Sequence, residues 1–199
     1  MTYRIGLIIG SLSASSINRR LAGALVKLAP ESLEFFEIGI GDLPLYNRDL
    51  DPDYPDVARR FKDEISSADG LLIVSPEYNR SMPGALKNAI DWGSRPWGQN
   101  SFARKPTALL GTSGGAIGTA VMQASMRNVL SFLNMPQLSS PEAYITFRPD
   151  DWDGDEVTNP TVRDFLAHYM GEYAAFVERV LASAPGHIGD TSGRAEHED

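Results

Sequence analysis

Three short segments of the 199-residue chain carry residue types suited to holding a small ligand. The first, Gly10-Ser11-Leu12-Ser13-Ala14-Ser15-Ser16-Ile17-Asn18, sets four serines and an asparagine around the start of a helical pattern. Unpaired N–H groups and the positive end of the helix dipole attract an anion at such a place, and hydroxyls and an amide donate to it without fixed positive charge. The spaced glycines and lysine of a P-loop are missing, as is G-x-G-x-x-G. Simple N-capping by Ser15 or Ser16 is the plainer use of the same residues. The second segment is Ser75-Pro76-Glu77-Tyr78-Asn79-Arg80-Ser81-Met82-Pro83-Gly84. Its prolines fix φ and remove donors, which stiffens the loop. The Tyr78 ring and Asn79 amide suit the flanks of a flat heteroaromatic group. A proline-rich turn with Tyr78 as a half-buried packing residue also accounts for them, and Glu77 fits a solvated carboxylate or a cap equally well. The third segment, Gly111-Thr112-Ser113-Gly114-Gly115-Ala116-Ile117-Gly118, has four glycines in eight residues. Glycine lets a backbone approach a ligand closely or turn through positive φ, and an ordinary strand-to-helix turn needs only one or two.

Other chemistries fall away. The chain has no cysteine, which removes disulfides, thiolate nucleophiles, iron–sulfur clusters and cysteine-ligated zinc. His168 sits in a helical pattern among apolar neighbours, while His187 and His197 lie in a polar tail, so no metal site is read from them. The acidic run Asp150, Asp151, Asp153, Asp155 and Glu156 lacks the spacing of a calcium-binding EF-hand loop and reads as a solvated loop. Eighteen basic against 26 acidic residues give a net charge of −8, with pI near 4.9. That balance argues against nucleic-acid binding and against docking on anionic membranes. The N-terminal apolar run is too short for a signal segment, and no stretch nears the roughly 20 apolar residues of a membrane span, so a cytoplasmic protein is the default.

The elements that must position the three segments follow from hydrophobic periodicity. Apolar runs at residues 3–9, 33–38, 71–75 and 107–112, with a weaker one at 142–147, predict strands. Helical spacing predicts helices over residues 17–28, 57–67, 84–92, 116–134 and 160–184, with Pro83 placed just ahead of the third. Residues 39–54 and 149–159 read as loops, and 185–199 as a disordered acidic tail behind a single domain, 1–184. The alternation calls for a parallel sheet with helices on both faces. Five units in under 190 residues fit an α/β, flavodoxin-like three-layer sandwich with strand order 2-1-3-4-5. Ligands of such sheets bind beyond the C-terminal strand ends, and all three segments follow strands there.

At these residues the chain resembles the NADPH-dependent FMN reductase family, which includes bacterial chromate, quinone and azo-dye reductases. The matching motifs are GSLSASSIN (10–18), SPEYNRSMPGALKNAIDWGSRP (75–96) and GTSGGAIGTAVMQASMRNVLSFLNM (111–135), in that order. The resemblance implies bound FMN with NAD(P)H as co-substrate. Ser11, Ser13, Ser16 and Asn18 would line its phosphate, and Pro76, Glu77, Tyr78 and Asn79 its isoalloxazine and ribityl chain. Ser113, Gly114 and Gly115 would close the other side of the ring. It further implies ping-pong hydride transfer to quinone, azo, chromate or flavin acceptors, with no side chain acting as acid or base and no catalytic residue named. A homodimer or homotetramer is implied as well. Asp91, Arg95 and Arg127 would be structural or interfacial, and an exposed patch of Trp92, Trp97 and Phe102 fits such an interface, although core packing accounts for these aromatics as well. Ser13 and Arg80 depart from the family pattern, which often has arginine at the first position and an uncharged residue at the second. Arg80 is therefore read as a substrate contact for a nucleotide phosphate or a dye sulfonate. The main alternative is a non-enzymatic FMN electron carrier of the flavodoxin kind. A flavin-free protein on the same scaffold has no nucleophile motif to support it.

Overall fold

The computed structural model describes residues 1–183; the expectations for the tail, His187 and His197 lie outside the described residues. Strands Tyr3–Ile9 (β1), Leu33–Glu37 (β2), Gly70–Val74 (β3), Thr107–Ser113 (β4) and Tyr144–Thr146 (β5) form one sheet. They lie in the order β2-β1-β3-β4-β5, every neighbouring pair parallel. The connecting helices are Ile17–Leu28 (α1), Asp56–Ser67 (α2), Gly84–Ser94 (α3), Ala120–Phe132 (α4) and Pro160–Ser183 (α5). Leu21 and Leu25 of α1 pack with Leu166, Tyr169 and Tyr173 of α5 on one face of the sheet. Phe61 and Ile65 of α2, Leu86 and Ile90 of α3, and Met122 and Met126 of α4 cover the other. Covered on both faces, β3 reads as an unbroken apolar run and is buried along its whole length. Its leucines, isoleucine and valine each contribute about 1.5–3 kcal/mol by leaving water.

Two glycines bring the C-terminal ends of the central strands together. A Cβ on Gly10, just past β1, would collide with the Ser75 side chain, and one on Gly111 in β4 would collide with the Ser75 carbonyl oxygen. Without those atoms, the Gly10 amide donates to the Val74 carbonyl at 2.9 Å and the Ser75 amide to the Leu110 carbonyl at 3.0 Å. The three loops therefore leave the sheet side by side.

The structure corrects the sequence reading in several places. The fourth helix begins at Ala120 rather than 116, because the preceding residues turn through Gly118 at φ +56°. The acidic stretch 149–159 folds into a 3₁₀ turn, Pro149–Asp151, and a hairpin of Trp152–Asp153 (β6) with Glu156–Val157 (β7). Arg20 of α1 docks that hairpin. Its guanidinium lies 5.2 Å from the Phe147 ring centre and 5.5 Å from that of Trp152, with Asp155 at 3.6 Å. Residues 39–54 contain a 3₁₀ turn, Arg48–Asp53, and are pinned to α3. The Tyr46 amide donates to Asn88 Oδ1 at 2.8 Å, and Trp92 Nε1 donates to the Pro44 carbonyl at 2.7 Å.

For the aromatic patch the structure selects core packing at two of the three positions. Trp92 and Phe102 are 0% and 1% exposed and belong to the core, whereas Trp97 alone of the three is surface, at 56%. Trp92 takes Tyr46 and Tyr54 edge-on at 5.1 and 4.9 Å, and Phe102 fills the space that a Cβ on Gly93 would occupy. Asp91 pairs with Lys87 at 2.7 Å and Arg127 donates to the Leu138 carbonyl at 3.2 Å, so both have partners within this chain. Among the described residues no helix is long and apolar enough to cross a membrane. Phe102→Ala should lower the unfolding free energy by about 3–5 kcal/mol. Urea denaturation at two protein concentrations checks this: the loss is the same at both, whereas an interface residue would give a concentration-dependent loss.

Candidate functional site

The loop after β1 winds on its own hydroxyls. Ser16 is the N-cap of α1, its Oγ accepting from the Arg19 amide at 3.3 Å. The Ser13 amide donates to Ser11 Oγ at 3.4 Å, and the Ser13 and Ser15 hydroxyls lie 3.3 Å apart. The first amides of α1, those of Ile17 and Asn18, have no intrahelical acceptor. No side chain on residues 10–18 is charged. The result is a neutral cradle of hydroxyls and amides at the positive end of a helix. Arg19, the next residue, is turned away onto Glu37 through two hydrogen bonds of 2.7 and 2.8 Å. Chiefly through those bonds, against partial burial, it holds the Glu37 carboxyl below its ordinary range.

Asn18 differs from the serines. It is buried, its Nδ2 donating to the Thr112 carbonyl at 2.9 Å and its Oδ1 accepting from the Thr112 amide at 2.9 Å. The carbonyl and one N–H of the amide are spent tying α1 to β4, which leaves its second N–H as the group it can offer a ligand.

The loop after β3 is a rigid tab. Tyr78 and Ser81 exchange backbone hydrogen bonds of 3.0 and 2.9 Å around Asn79 and Arg80. Those two residues stand at φ 51° and 63°, the geometry of a tight type I′ turn. Asparagine adopts it readily, and arginine only under strain. Glu77 is the second tie of the site. Its Oε2 accepts from the Val121 and Met122 amides at 3.1 and 3.0 Å, and its Oε1 from Arg80 at 3.2 Å. Thr119, at the start of α4, makes no side-chain cap of its own, so a carboxylate 44 residues away in sequence caps that helix.

The glycines at the end of β4 and just beyond it divide into two kinds. Gly111 serves strand packing, and a Cβ on Gly118 would lie 2.9 Å from the backbone of Tyr144 and Ile145. Gly114 and Gly115 are exposed, and an added Cβ would meet nothing on the first and only Ser113 Oγ, at 3.5 Å, on the second. Ser113 Oγ accepts from the Gly115 amide at 3.2 Å and donates to the Gly118 carbonyl at 2.6 Å, which holds the turn open. The structure thus brings Ser11, Ser13, Ser16, Asn18, the 76–80 tab and residues 113–115 to one edge of the sheet. A neutral phosphate cradle, a stiff tab and an uncrowded glycine pair suit a phosphate monoester joined to a flat ring, and FMN has that form. The sequence left Glu77 open as a cap or a solvated carboxylate, and the structure makes it a cap; it gave no sign that Asn18 acts as a tie, because its partner Thr112 lies in a distant segment.

Asn18→Ala leaves a buried N–H and a buried C=O on Thr112 without partners, so it should cost about 2–3 kcal/mol. Chemical denaturation measures that loss, and amide exchange at Thr112 should quicken along with it.

The sequence matches the NADPH-dependent FMN reductase family over residues 3–150. It is 50% identical over 179 residues to a 2-hydroxy-1,4-benzoquinone reductase from a Burkholderia species, covering 89% of this chain and 97% of that one. A quinone reductase of Escherichia coli strain K12 is 37% identical over 179 residues, covering 87% and 94%. Among solved structures, the flavoenzyme NAD(P)H:(acceptor) oxidoreductase FerB from Paracoccus denitrificans superposes with a TM-score of 0.86 at 42% identity, covering 89% and 98%. The match begins at β1, takes in all three loops and extends beyond β5, and on it the chain belongs to the NADPH-dependent FMN reductase family.

Proposed function

We propose that this protein is an FMN-dependent NAD(P)H:quinone oxidoreductase. One observation carries the reading: the charge-free cradle at the start of α1 opens onto the same strand ends as the Tyr78 turn and the uncrowded Gly114–Gly115 pair. Ser11, Ser13, Ser16 and the first amides of α1 hold the phosphate, helped by the free N–H of Asn18. Pro76, Glu77, Tyr78 and Asn79 shape one flank of the ring and ribityl chain, and Ser113, Gly114 and Gly115 the other. Bound FMN supplies two-electron chemistry, so that NAD(P)H, a proton and a quinone become NAD(P)⁺ and a hydroquinone. The chain's own part is position and exclusion. Glu77, the only carboxylate on the three loops, is already accepting from Val121, Met122 and Arg80, so it is not poised to move a proton.

Nucleotide and acceptor use one open face in turn. Several relatives are named quinone reductases, one of them for 2-hydroxy-1,4-benzoquinone, which makes quinones the first acceptors to expect, with azo dyes, chromate and free flavin within reach of the same chemistry. Self-association into a dimer or tetramer and a cytoplasmic setting belong to the same reading. The exposed apolar side chains Leu12, Tyr78 and Ile117 around the site support the first.

Stoichiometric NADH or NADPH, added without oxygen to the FMN-loaded protein, should bleach the flavin's visible absorbance. A quinone should then restore it, and steady-state rates should give parallel double-reciprocal lines. A protein that holds FMN but is not bleached by either nucleotide is an electron carrier, and that result overturns the proposal.

A further inference from the structure

Glu77 and Arg80 are the only charged side chains on residues 10–18, 75–84 and 111–118. Their surroundings differ sharply. The Glu77 side chain is 9% exposed and shares its charge with the first amides of α4 as well as with Arg80. The Arg80 side chain is 68% exposed, and among the described residues its hydrogen bond is the single one to Glu77, at 3.2 Å. A guanidinium has five N–H donors in a planar fork, so most of this one remains available. Because Glu77 is already balanced by a helix terminus, the pair does not cancel the positive charge at the mouth of the site.

The backbone keeps that charge in place. Arg80 occupies the second corner of the type I′ turn at φ 63°, a position glycine fills without strain and arginine does not. A long cationic side chain is thus held beside Tyr78 and Asn79 on a turn whose neighbours flank the ring. The rest of the molecule carries net negative charge, −8 over the full chain, and repels an anion in the absence of a local cation.

We propose that Arg80 is a specificity residue that recognises an ionised substituent on the acceptor ring. Such substituents are a hydroxyl acidified by conjugation to a quinone carbonyl, a carboxylate or a sulfonate. The inference rests on the reading of the protein as a quinone reductase and adds the class of quinone. It assigns the cation to the acceptor rather than to the nucleotide on chemical grounds. An ionised ring substituent lies directly on the reacting ring, within reach of a side chain next to the ring-flanking residues. The phosphates of NAD(P)H lie beyond a ribose from the reacting nicotinamide.

The test compares wild type with Arg80→Gly and Arg80→Lys. Glycine removes the charge at a φ it tolerates, so a broken turn cannot explain its effect, and lysine keeps the charge. The probes are 1,4-naphthoquinone and its 2-sulfonate. The ratio of kcat/KM for the sulfonate to that for the neutral quinone should fall about fivefold or more in Arg80→Gly and stay within about twofold of wild type in Arg80→Lys. In wild type, added salt should move the ratio toward that of the glycine variant. A ratio unchanged by Arg80→Gly overturns the proposal. So does a fall confined to kcat/KM for NADH or NADPH, which would give the cation to the nucleotide. A second measurement needs no turnover: the dissociation constant of the sulfonate from the oxidised FMN-loaded protein, read from the flavin spectrum, should rise about fivefold or more in Arg80→Gly. Failure of the wild type to reduce any quinone would remove the functional reading, and this dissociation constant would still decide the role of Arg80.

Discussion

Asn18 donates to and accepts from the peptide unit of Thr112, both bonds at 2.9 Å and both away from water. Its side-chain amide thereby acts as one more strand residue paired to β4, although it belongs to a helix that follows β1. Since β3 lies between β1 and β4 in the sheet, this bond spans the central strand and fixes the first loop relative to the third. The reach is short enough only because Gly10 and Gly111 let the ends of β1 and β4 close on Ser75. Glu77 completes the set by tying the loop after β3 to α4. Three segments far apart in sequence are therefore locked together by the protein itself. A cofactor meeting such a site pays little of the ordering entropy that a loose one would exact.

The two helix termini at this edge are treated differently, and the difference gives the site a direction. The start of α1 is capped by a neutral hydroxyl, Ser16, so its dipole and first amides remain available to an anion. The start of α4 is capped by a carboxylate, so its field is already answered. On the proposed reading, a dianionic phosphate would find one favourable terminus rather than two, and that asymmetry would orient a ligand with a phosphate at one end and a ring at the other. Arg19, the residue after the cradle, is held on Glu37, so the cradle itself stays neutral.

Much of this was legible before any coordinates. Buried runs such as β3 and the amphipathic spacing of α1 depend on local pattern, and so does the order of alternating elements, from which the sheet order 2-1-3-4-5 followed. The misreadings share a cause in tertiary contact. Trp92 and Phe102 look like surface aromatics beside a charged helix, yet the loop over residues 43–46 folds back across Trp92 and Gly93 leaves room for Phe102. The acidic stretch 149–159 is solvated as its composition suggests, but its hairpin was not legible because the arginine that docks it, Arg20, lies more than a hundred residues earlier. The four glycines over residues 111–118 were read as one signal, whereas two serve packing against distant backbone and two face open space. Asn18 carries a role that its neighbours do not reveal, since its carbonyl and one N–H are committed to β4 and only the second N–H is left for a ligand. Local composition marks where a ligand-bearing loop lies, but not which of its residues hold the loop itself.

Glu77 shows how that internal bracing bears on the chemistry. Reducing a quinone consumes a proton as well as a hydride, and a carboxylate on a ring-flanking loop is the obvious residue to supply it. To do so, Glu77 would have to take up a proton, and a protonated carboxyl accepts hydrogen bonds more weakly than a carboxylate. The amides of Val121 and Met122 would then lose the charge that caps α4, and Arg80 would lose its counter-ion. Acting as a proton donor and capping α4 are therefore competing demands on one group. The contacts at 3.0 and 3.1 Å place Glu77 on the side of the cap. On the proposed reading the proton comes from water at the open face, and the chain acts on the reaction through how the ring is held and which acceptors lie against it.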